Sequence, residues 1–487
     1  MEYAISSESM KLSDNLTIKN GVSAIKLMDR VAHALFCSMN ANKTDKIAIV
    51  CGSGNNGGDG YCLAIKLLNE GYNTQVYGKL PKTDSAKYYY DILIENFSNN
   101  FCDIDKMLNL SDFDIVVDCL LGIGIKGELS TEYIDYINII NTAKNIISCD
   151  IASGLHSDNG HKSLVAVKAN KTLAIQSFKT GHFLADGKDM SGNLCKCDIG
   201  IEVVGDKYFI VDSEFVKNCF PQRTYNTHKG SFGRCGIIAC SDNFVGSGKL
   251  ALASSTAILG ECAMRTGCGY SYLFVPDKML PYMWGSVTHS CIFGQSELLN
   301  HKLDAVAFGM GVGDNAQLCE QVFDYPCPKV IDADAINFLA KHKKYLSKLS
   351  GSVLTPHPME FSRLLNISVS EILQNPIPYA INFAKENNVV LLLKGATTII
   401  TDGVQTYLNI TGNSGLAKGG SGDVLAGIIA SLMSQKISPI KATISATFLM
   451  GKTCENLTES KTEYSILPID IANSVGDTLS KIINGKI

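Results

Sequence analysis

The sequence predicts two consecutive three-layer α/β domains, each built on a largely parallel sheet covered by helices. Three observations carry this: short apolar runs at regular intervals, helix-like stretches between them, and a glycine-rich turn ahead of a helix in each half. In the first half the burst Ile47-Ala48-Ile49-Val50 runs into the turn Gly52 to Gly60. A helical pattern through Leu63, Ile65, Leu67 and Leu68 follows, then Gly71 and a strand over Thr74 to Tyr77. That is a βαβ unit. Strands at Asp114 to Cys119, Asn145 to Cys149 and Lys171 to Ile175 complete one doubly wound domain, expected over 1–220. The pattern breaks around Cys219-Phe220-Pro221. A second domain, over 221–487, places strands at Arg234 to Cys240, Tyr270 to Val275, Ala305 to Phe308, Lys329 to Asp332, Ser352 to Thr355 and Val389 to Leu393, with helices at Leu250 to Arg265 and Val424 to Met433.

Composition narrows the function classes. The 487 residues hold 43 Lys and Arg against 47 Asp and Glu, a net charge of −4, with 46% hydrophobic and 18% charged residues, which excludes a disordered chain. Near-neutral balance leaves no basic surface for nucleic acid, and the interrupted cluster Lys341 to Lys344 reads as a solvated helix face. The 17 cysteines lie mostly in apolar segments such as Ile237-Ile238-Ala239-Cys240, the usage of reduced core thiols and a cytoplasmic location. Met1-Glu2-Tyr3-Ala4 opens no signal peptide, and no apolar run reaches the roughly 18 residues a membrane span needs, so no membrane partner is expected. Cys195-Lys196-Cys197 stands alone, which speaks against a zinc site.

Polar residues concentrate where strands are expected to end. Gly52-Ser53-Gly54-Asn55-Asn56-Gly57-Gly58-Asp59-Gly60 follows a strand and opens a helix, where exposed amides of a parallel sheet's carboxyl edge form a ligand crevice. Its carboxamides and carboxylate set it apart from a plain dinucleotide fingerprint. Two more strand ends, Asp118-Cys119-Leu120-Leu121-Gly122 and Asp150-Ile151-Ala152-Ser153-Gly154, turn abruptly from apolar to polar. Turn caps would explain any one of the three, but not all together. Their all-oxygen groups suit a hard cation or a sugar. In the second half, Gly419-Gly420-Ser421-Gly422-Asp423 opens an apolar helix whose amides can surround an anion, with Asp423 in the first turn as a candidate base rather than a simple cap. His357, between two prolines, and Lys394, before Gly395, end strands upstream.

Taken together, Asn55 to Gly60, Asp118 to Gly122 and Asp150 to Leu155 resemble the epimerase domain of the bifunctional NAD(P)H-hydrate repair enzymes. Gly309-Met310-Gly311-Val312-Gly313, Thr355-Pro356-His357-Pro358, Lys394-Gly395-Ala396 and Gly419 to Gly427 resemble their dehydratase domain. The resemblance implies a Rossmann-like domain followed by a ribokinase-like one, acting on NADHX and NADPHX, cofactors whose nicotinamide ring has added water at C6. The first domain would interconvert R and S hydrates. The second would dehydrate the S form by transferring phosphate from ADP, the donor expected here, or from ATP.

The same resemblance implies site residues. Asn55, Asn56, Gly57, Gly58 and Asp59, with Gly122, Ile123, Gly124, Ile125, Lys126, Gly127 and Glu128, would hold the hydrate's phosphates and ribose, with Asp150 at the reacting ring. Asn56, Asp118 and Ser153 would bind a potassium ion. Lys394, Gly395, Ala396, Thr397, Thr398 and Gly422 would contact the nucleotide, which arrives with magnesium; Gly313 and His357 would contact the hydrate, and Asp423 would be the catalytic base. A homo-oligomer is implied by the family alone. The sequence departs from the pattern at Ala152, where proline is usual, at Leu27-Met28-Asp29-Arg30, which brings a charged arginine near the first site, and at Leu252-Ala253-Ser254-Ser255. Two other readings stay open: a ribokinase-like small-molecule kinase with a non-catalytic N-terminal ligand-binding module, and a first domain serving only as a scaffold.

Overall fold

The computed structural model describes residues 1–125, 127–241, 258, 260–283 and 289–487. Most of the helix expected from Leu250, the Leu252 to Ser255 segment and Lys126 lie outside the described residues. The chain divides into two compact units, Tyr3–Tyr208 and Phe209–Ile487, the latter with Met1–Glu2. This corrects the boundary expected at 220. Phe209 and Ile210 pair with Tyr407 and Leu408, and the helix Ser213–Cys219 buries Val216 in the second unit's core, so the segment before Pro221 already belongs there.

Strands are numbered along the chain. The first unit contains β1 (Tyr3–Ile5), β2 (Ile47–Cys51), β3 (Thr74–Gly78), β4 (Phe101–Asp103), β5 (Ile115–Cys119), β6 (Ile146–Cys149), β7 (Lys171–Ile175), β8 (Phe178–Lys179) and β9 (Asn193–Cys197). Among the described residues, seven of them form a parallel sheet in the order β4-β3-β2-β5-β6-β7-β9, while β1 pairs with β8. The runs are apolar on both faces because both faces are covered. Ile47, Ile49 and Cys51 pack with Leu35, Leu63 and Leu67, and Ala48 and Val50 pack with Tyr136, Ile137 and Ile140. Each fully buried side chain of this size is worth about 1.5–3 kcal/mol relative to exposure. The order reverses between β2 and β5, so the carboxyl ends of these two strands flank an open crevice.

The second unit adds β10 (Tyr208–Ile210), β11 (Arg234–Ile238), β12 (Tyr270–Val275), β13 (Cys291–Gly294), β14 (Ala305–Phe308), β15 (Lys329–Ile331), β16 (Val353–Leu354), β17 (Val390–Leu393), β18 (Thr398–Thr401) and β19 (Thr406–Asn409). Their order is β13-β12-β11-β14-β15-β16-β17-β18-β19-β10. Strands β13 to β17 are parallel, and β18 and β19 extend the sheet antiparallel. The sheet packs Ile237, Leu273 and Ala307 against the nearly all-buried helix Ser421–Ser434, and Phe308 against Phe323 on the opposite face. Here the order reverses between β11 and β14. All seventeen cysteines are free thiols. Among the described residues no helix is long and apolar enough to cross a membrane.

Candidate functional site

In the first unit the reversal point opens into a cavity of about 650 Å3. Helix Asn55–Asn69 begins there after Gly54 with no side-chain cap, which leaves its first amides to the cavity. Gly58 is required by packing, since a Cβ would lie 2.7 Å from Met28 and 2.9 Å from Ala86. Asn55, Asn56, Asp59, Gly122, Ile123, Gly124, Ile125, Glu128 and Asp150 all line the cavity. Gly57 instead packs beneath the turn, where a Cβ would fall onto the carbonyl of Gly52. Gly127 has φ +72°, a left-handed turn position.

Asp150 follows β6 with φ +65° and is pinned from several sides. Its Oδ1 accepts a hydrogen bond from Ile175 N–H at 3.0 Å and pairs with Lys179 Nζ, which also donates to Ile175 O at 2.8 Å. The Lys179 side chain is fully buried and reaches this position because β8 is held beside β1, Ile5 opposite Lys179. His182 completes the support. Lys179 N–H donates to its Nδ1 at 3.1 Å, which leaves the ring proton on Nε2, directed at Asp150 O at 2.9 Å. Burial, then the Lys179 charge, pushes this imidazole down to about 4, so it stays neutral.

Two further carboxylates share the cavity. Burial, followed by the charges of Asp150 and Asp14, holds Asp59 well above the usual carboxylate range. Asp14, on helix Ser7–Lys19, is raised to about 6 by burial, against the pull of Lys179 and with a push from Asp150. Behind the cavity wall Asp118 is fully buried and accepts four bonds: from Ser148 Oγ at 2.8 Å, Ser153 N–H at 3.0 Å, Ser153 Oγ at 2.6 Å and Leu120 N–H at 3.2 Å. Asn56 Nδ2 donates to Leu121 O at 3.0 Å, and Leu121 N–H donates to Ser153 Oγ at 2.8 Å, so Asn56, Asp118 and Ser153 meet around Leu121. Burial raises the Asp118 carboxyl, because only neutral donors face it.

In the second unit helix Ser421–Ser434 starts after Gly420, φ +97°, again without a side-chain cap. Lys394, at the end of β17, donates to Asp332 Oδ1 at 2.6 Å, as does Thr355 Oγ1 at 2.9 Å. A Cβ on Gly422 would lie 3.2 Å from Asp332 Oδ2 and 3.4 Å from Lys394 Nζ, so the lysine, the aspartate and the first helical turn converge. Asp423 sits in that turn. Gly395 and Ala396 are exposed at the β17–β18 turn, Thr397 is buried and Thr398 opens β18. His357 is half-exposed and caps helix Pro358–Leu365: its Nδ1 accepts from Met359 N–H at 3.2 Å, while Glu360 Oε2 accepts from His357 N–H at 2.9 Å. Burial, then Lys394 and Arg363, lowers its pKa. Gly313 donates its N–H to Asp334 Oδ2 at 3.0 Å. It adjoins a cavity of about 490 Å3 at the β11–β14 reversal, lined by Ser241, Lys278, Gln295, Val312 and Asn315.

A family model described as NAD(P)H-hydrate dehydratase matches residues 235–476, and one described as YjeF-related protein N-terminus matches 19–181. The bifunctional NAD(P)H-hydrate repair enzyme of Dictyoglomus turgidum is 31% identical, the match covering 99% of this chain and 97% of that one. The chain belongs to the bifunctional NAD(P)H-hydrate repair enzymes. A second repair enzyme, from Helicobacter pylori, is 31% identical over 92% of this chain and 94% of its own. A solved ribokinase-like superfamily protein from Enterococcus faecalis, 22% identical with a TM-score of 0.50, covers 56% of this chain and 96% of its own, and shows the fold. The matches span both halves and do not favour a ribokinase-like small-molecule kinase with a non-catalytic N-terminal ligand-binding module.

Within this repair enzyme, the sequence motifs missed four groups that the fold brings to the sites. Asp14, Lys179 and His182 join Asp59 and Asp150 in the first unit, and Asp332 joins Lys394 in the second. Only Asp332 carried a readable signal. Ile331-Asp332-Ala333-Asp334 repeats the apolar-to-acidic strand end of Asp118 and Asp150. Arg30 does not line the cavity: its Nη1 donates to Ile199 O at 2.8 Å, bracing the loop that carries the lining residues Ile199 and Ile201. Ala152 is buried in the core below the site.

Proposed function

We propose that the first unit interconverts the R and S hydrates of NADH and NADPH. The second dehydrates the S form at the expense of ADP or ATP, releasing AMP or ADP and phosphate. The observation supporting this most directly is that one chain joins a cavity holding an Asp150–Lys179 ion pair to a glycine-rich helix start flanked by Lys394 and Asp423. In the second unit Asp423 takes the hydroxyl proton of the hydrate as phosphate is transferred; the C6–O bond then breaks with phosphate leaving, helped by the N1 lone pair, and a C5 proton is lost to solvent as C5=C6 forms. Lys394, Gly395, Ala396, Thr397, Thr398 and the Gly422 amide hold the nucleotide, and Gly313 and His357 hold the hydrate. Phosphoryl transfer asks mainly for this positioning and charge stabilisation. Magnesium, bound with the nucleotide, supplies further neutralisation of phosphate charge.

In the first unit Asn55 to Asp59 and Gly122 to Glu128 hold the phosphates and ribose, and Asp150 faces the ring. Asn56, Asp118 and Ser153 fit a potassium ion: their donors are hard oxygens, and Asp118 is a buried carboxylate that no cation pairs with among the described residues. The enzyme works in the cytoplasm as a homo-oligomer, with no nucleic-acid or membrane partner. A potassium site predicts that potassium chloride at about a hundred times Kd stabilises the first unit by about 2.7 kcal/mol over lithium chloride of equal ionic strength. Thermal unfolding reads this directly, and Asp118→Asn should erase the difference between the salts.

Recovery of absorbance in the reduced-nicotinamide band tests the whole reading, with a hydrated NADH epimer mixture, magnesium, potassium and either ADP or ATP. Complete recovery, faster than spontaneous epimerisation allows, is expected. Recovery of the S fraction alone would refute the epimerase half. No recovery with either nucleotide, or a product that keeps its phosphate, would refute the dehydratase half.

A further inference from the structure

We propose that Asp14 is the base of the epimerisation and Asp59 its acid partner, the two carboxyls moving protons on opposite sides of the carbon that is inverted. This rests on the epimerase reading of the first unit. Asp14 comes from helix Ser7–Lys19 and Asp59 from helix Asn55–Asn69, and both line the 650 Å3 cavity that Asp150 and Lys179 also line. Neither Asp14 nor Asp59 takes part in a hydrogen bond or ion pair among the described residues, whereas Asp150 is tied through its Oδ1 to Lys179 Nζ and Ile175 N–H, and Lys179 Nζ also to Ile175 O. Asp14 and Asp59 are therefore the two carboxyls in the cavity that are shielded from solvent and unpaired at both oxygens among the described residues, Glu128 being exposed. The other charged or titratable groups facing it are Lys11 at the exposed rim of Asp14's own helix, and Glu128 and Tyr133 from the segment after β5.

The environments separate the two roles. Lys179 is the cation that offsets burial at Asp14, whose carboxyl is held at about 6 and is mostly ionised at neutral pH. At Asp59 burial, then the charges of Asp150 and Asp14, all favour the protonated form. Two carboxyls in one cavity, one offset by a cation and the other raised further by burial and like charge, have environments suited to a base and an acid.

The chemistry balances without a co-reactant. The hydrate is a carbinolamine, its C6 hydroxyl next to ring nitrogen N1. Asp14 takes the hydroxyl proton, C6=O forms, and the C6–N1 bond breaks with its electron pair going to N1, which receives the Asp59 proton. The open aldehyde turns its other face to N1. N1 then attacks C6, its proton returns to Asp59, and the proton on Asp14 returns to the oxygen, giving the other epimer.

The test uses the full chain without nucleotide, with R and S hydrates separated by chromatography and the spontaneous rate subtracted. Asp14→Asn should lower kcat at least about 100-fold. Wild-type kcat should fall about tenfold per unit as pH drops below about 6, because a protonated Asp14 cannot accept. Asp14→Glu should retain such a limb and Asp14→Asn lose it, both variants keeping full ADP-dependent dehydration of the S hydrate. A rate for Asp14→Asn within about threefold of wild type, or an unchanged acid limb, overturns the proposal. Entry of solvent oxygen-18 into the hydroxyl once per turnover overturns the ring-opening step. A wild-type chain that does not epimerise at all refutes the epimerase reading itself, an outcome distinct from a variant that equals an active wild type.

Discussion

Asp423→Asn is expected to lower dehydration of the S hydrate by roughly 10²- to 10⁴-fold, the range for loss of a positioned general base. The substitution keeps size and shape and removes only the ability to accept a proton. Asp423 lies in the first turn of a helix whose next residues, Val424 to Ser434, are all buried, so the helix is held by its packing rather than by this charge. A first-turn carboxylate is worth about 0.3–1 kcal/mol against the helix dipole, and the thermal midpoint should move by no more than that implies. Epimerisation, which uses the other unit, should continue at the wild-type rate. Steady-state rates of phosphate release and circular-dichroism melting decide the matter. Loss of folding would make Asp423 a structural cap, and retained dehydration would place the base elsewhere.

Lys179→Met should cost the first unit about 3–5 kcal/mol and remove epimerisation. Breaking a buried ion pair from one side strands the other charge, and that desolvation penalty exceeds what the pair contributes when whole. Here the stranded group would be Asp150, with the Ile175 carbonyl losing a donor as well. Hydrogen exchange at β6, β7 and β8 should quicken while β11 to β17 keep their protection. Adding Asp150→Asn removes the stranded charge and should return part of the stability but none of the activity. Equal stability of the single and double variants would show that the pair is not the linchpin the geometry makes it.

Strand ends were legible in the sequence; what gathers around them was not. The runs at 171–175, 270–275 and 305–308 end where expected because each apolar run stops at a polar or chain-turning residue, Gln176, Pro276 and Gly309. Asn56, Asp59, Asp118 and Asp150 were readable because each interrupts an apolar strand or a glycine turn. Asp14 was invisible for the opposite reason. It lies on a weakly amphipathic helix beside Lys11 and Asn15, a pattern that reads as a solvent face until tertiary structure lays it over a cavity. Lys179 and His182 sit in a short polar connection after β7, and only the β1–β8 pairing turns the lysine inward. At His357 two prolines suggested a ligand contact, and the structure adds a use the sequence did not show, the ring capping helix Pro358–Leu365.

The backbones after β2 and β5 touch so closely that a methyl group on Gly52 would fall onto the carbonyl oxygen of Leu120, and Gly57 lies as tightly over Gly52. Between the loop carrying Asn55 and Asn56 and the loop carrying Leu121 and Gly122, the Asn56 side chain bonds Leu121 O and packs on Gly122. The two are therefore a single mechanical part. A push on the Leu121 carbonyl reaches the helix start through the Asn56 amide, and a shift of either loop is felt by the other. A pocket built this way is finished before its guest arrives, and little of the guest's binding energy is spent on ordering the walls.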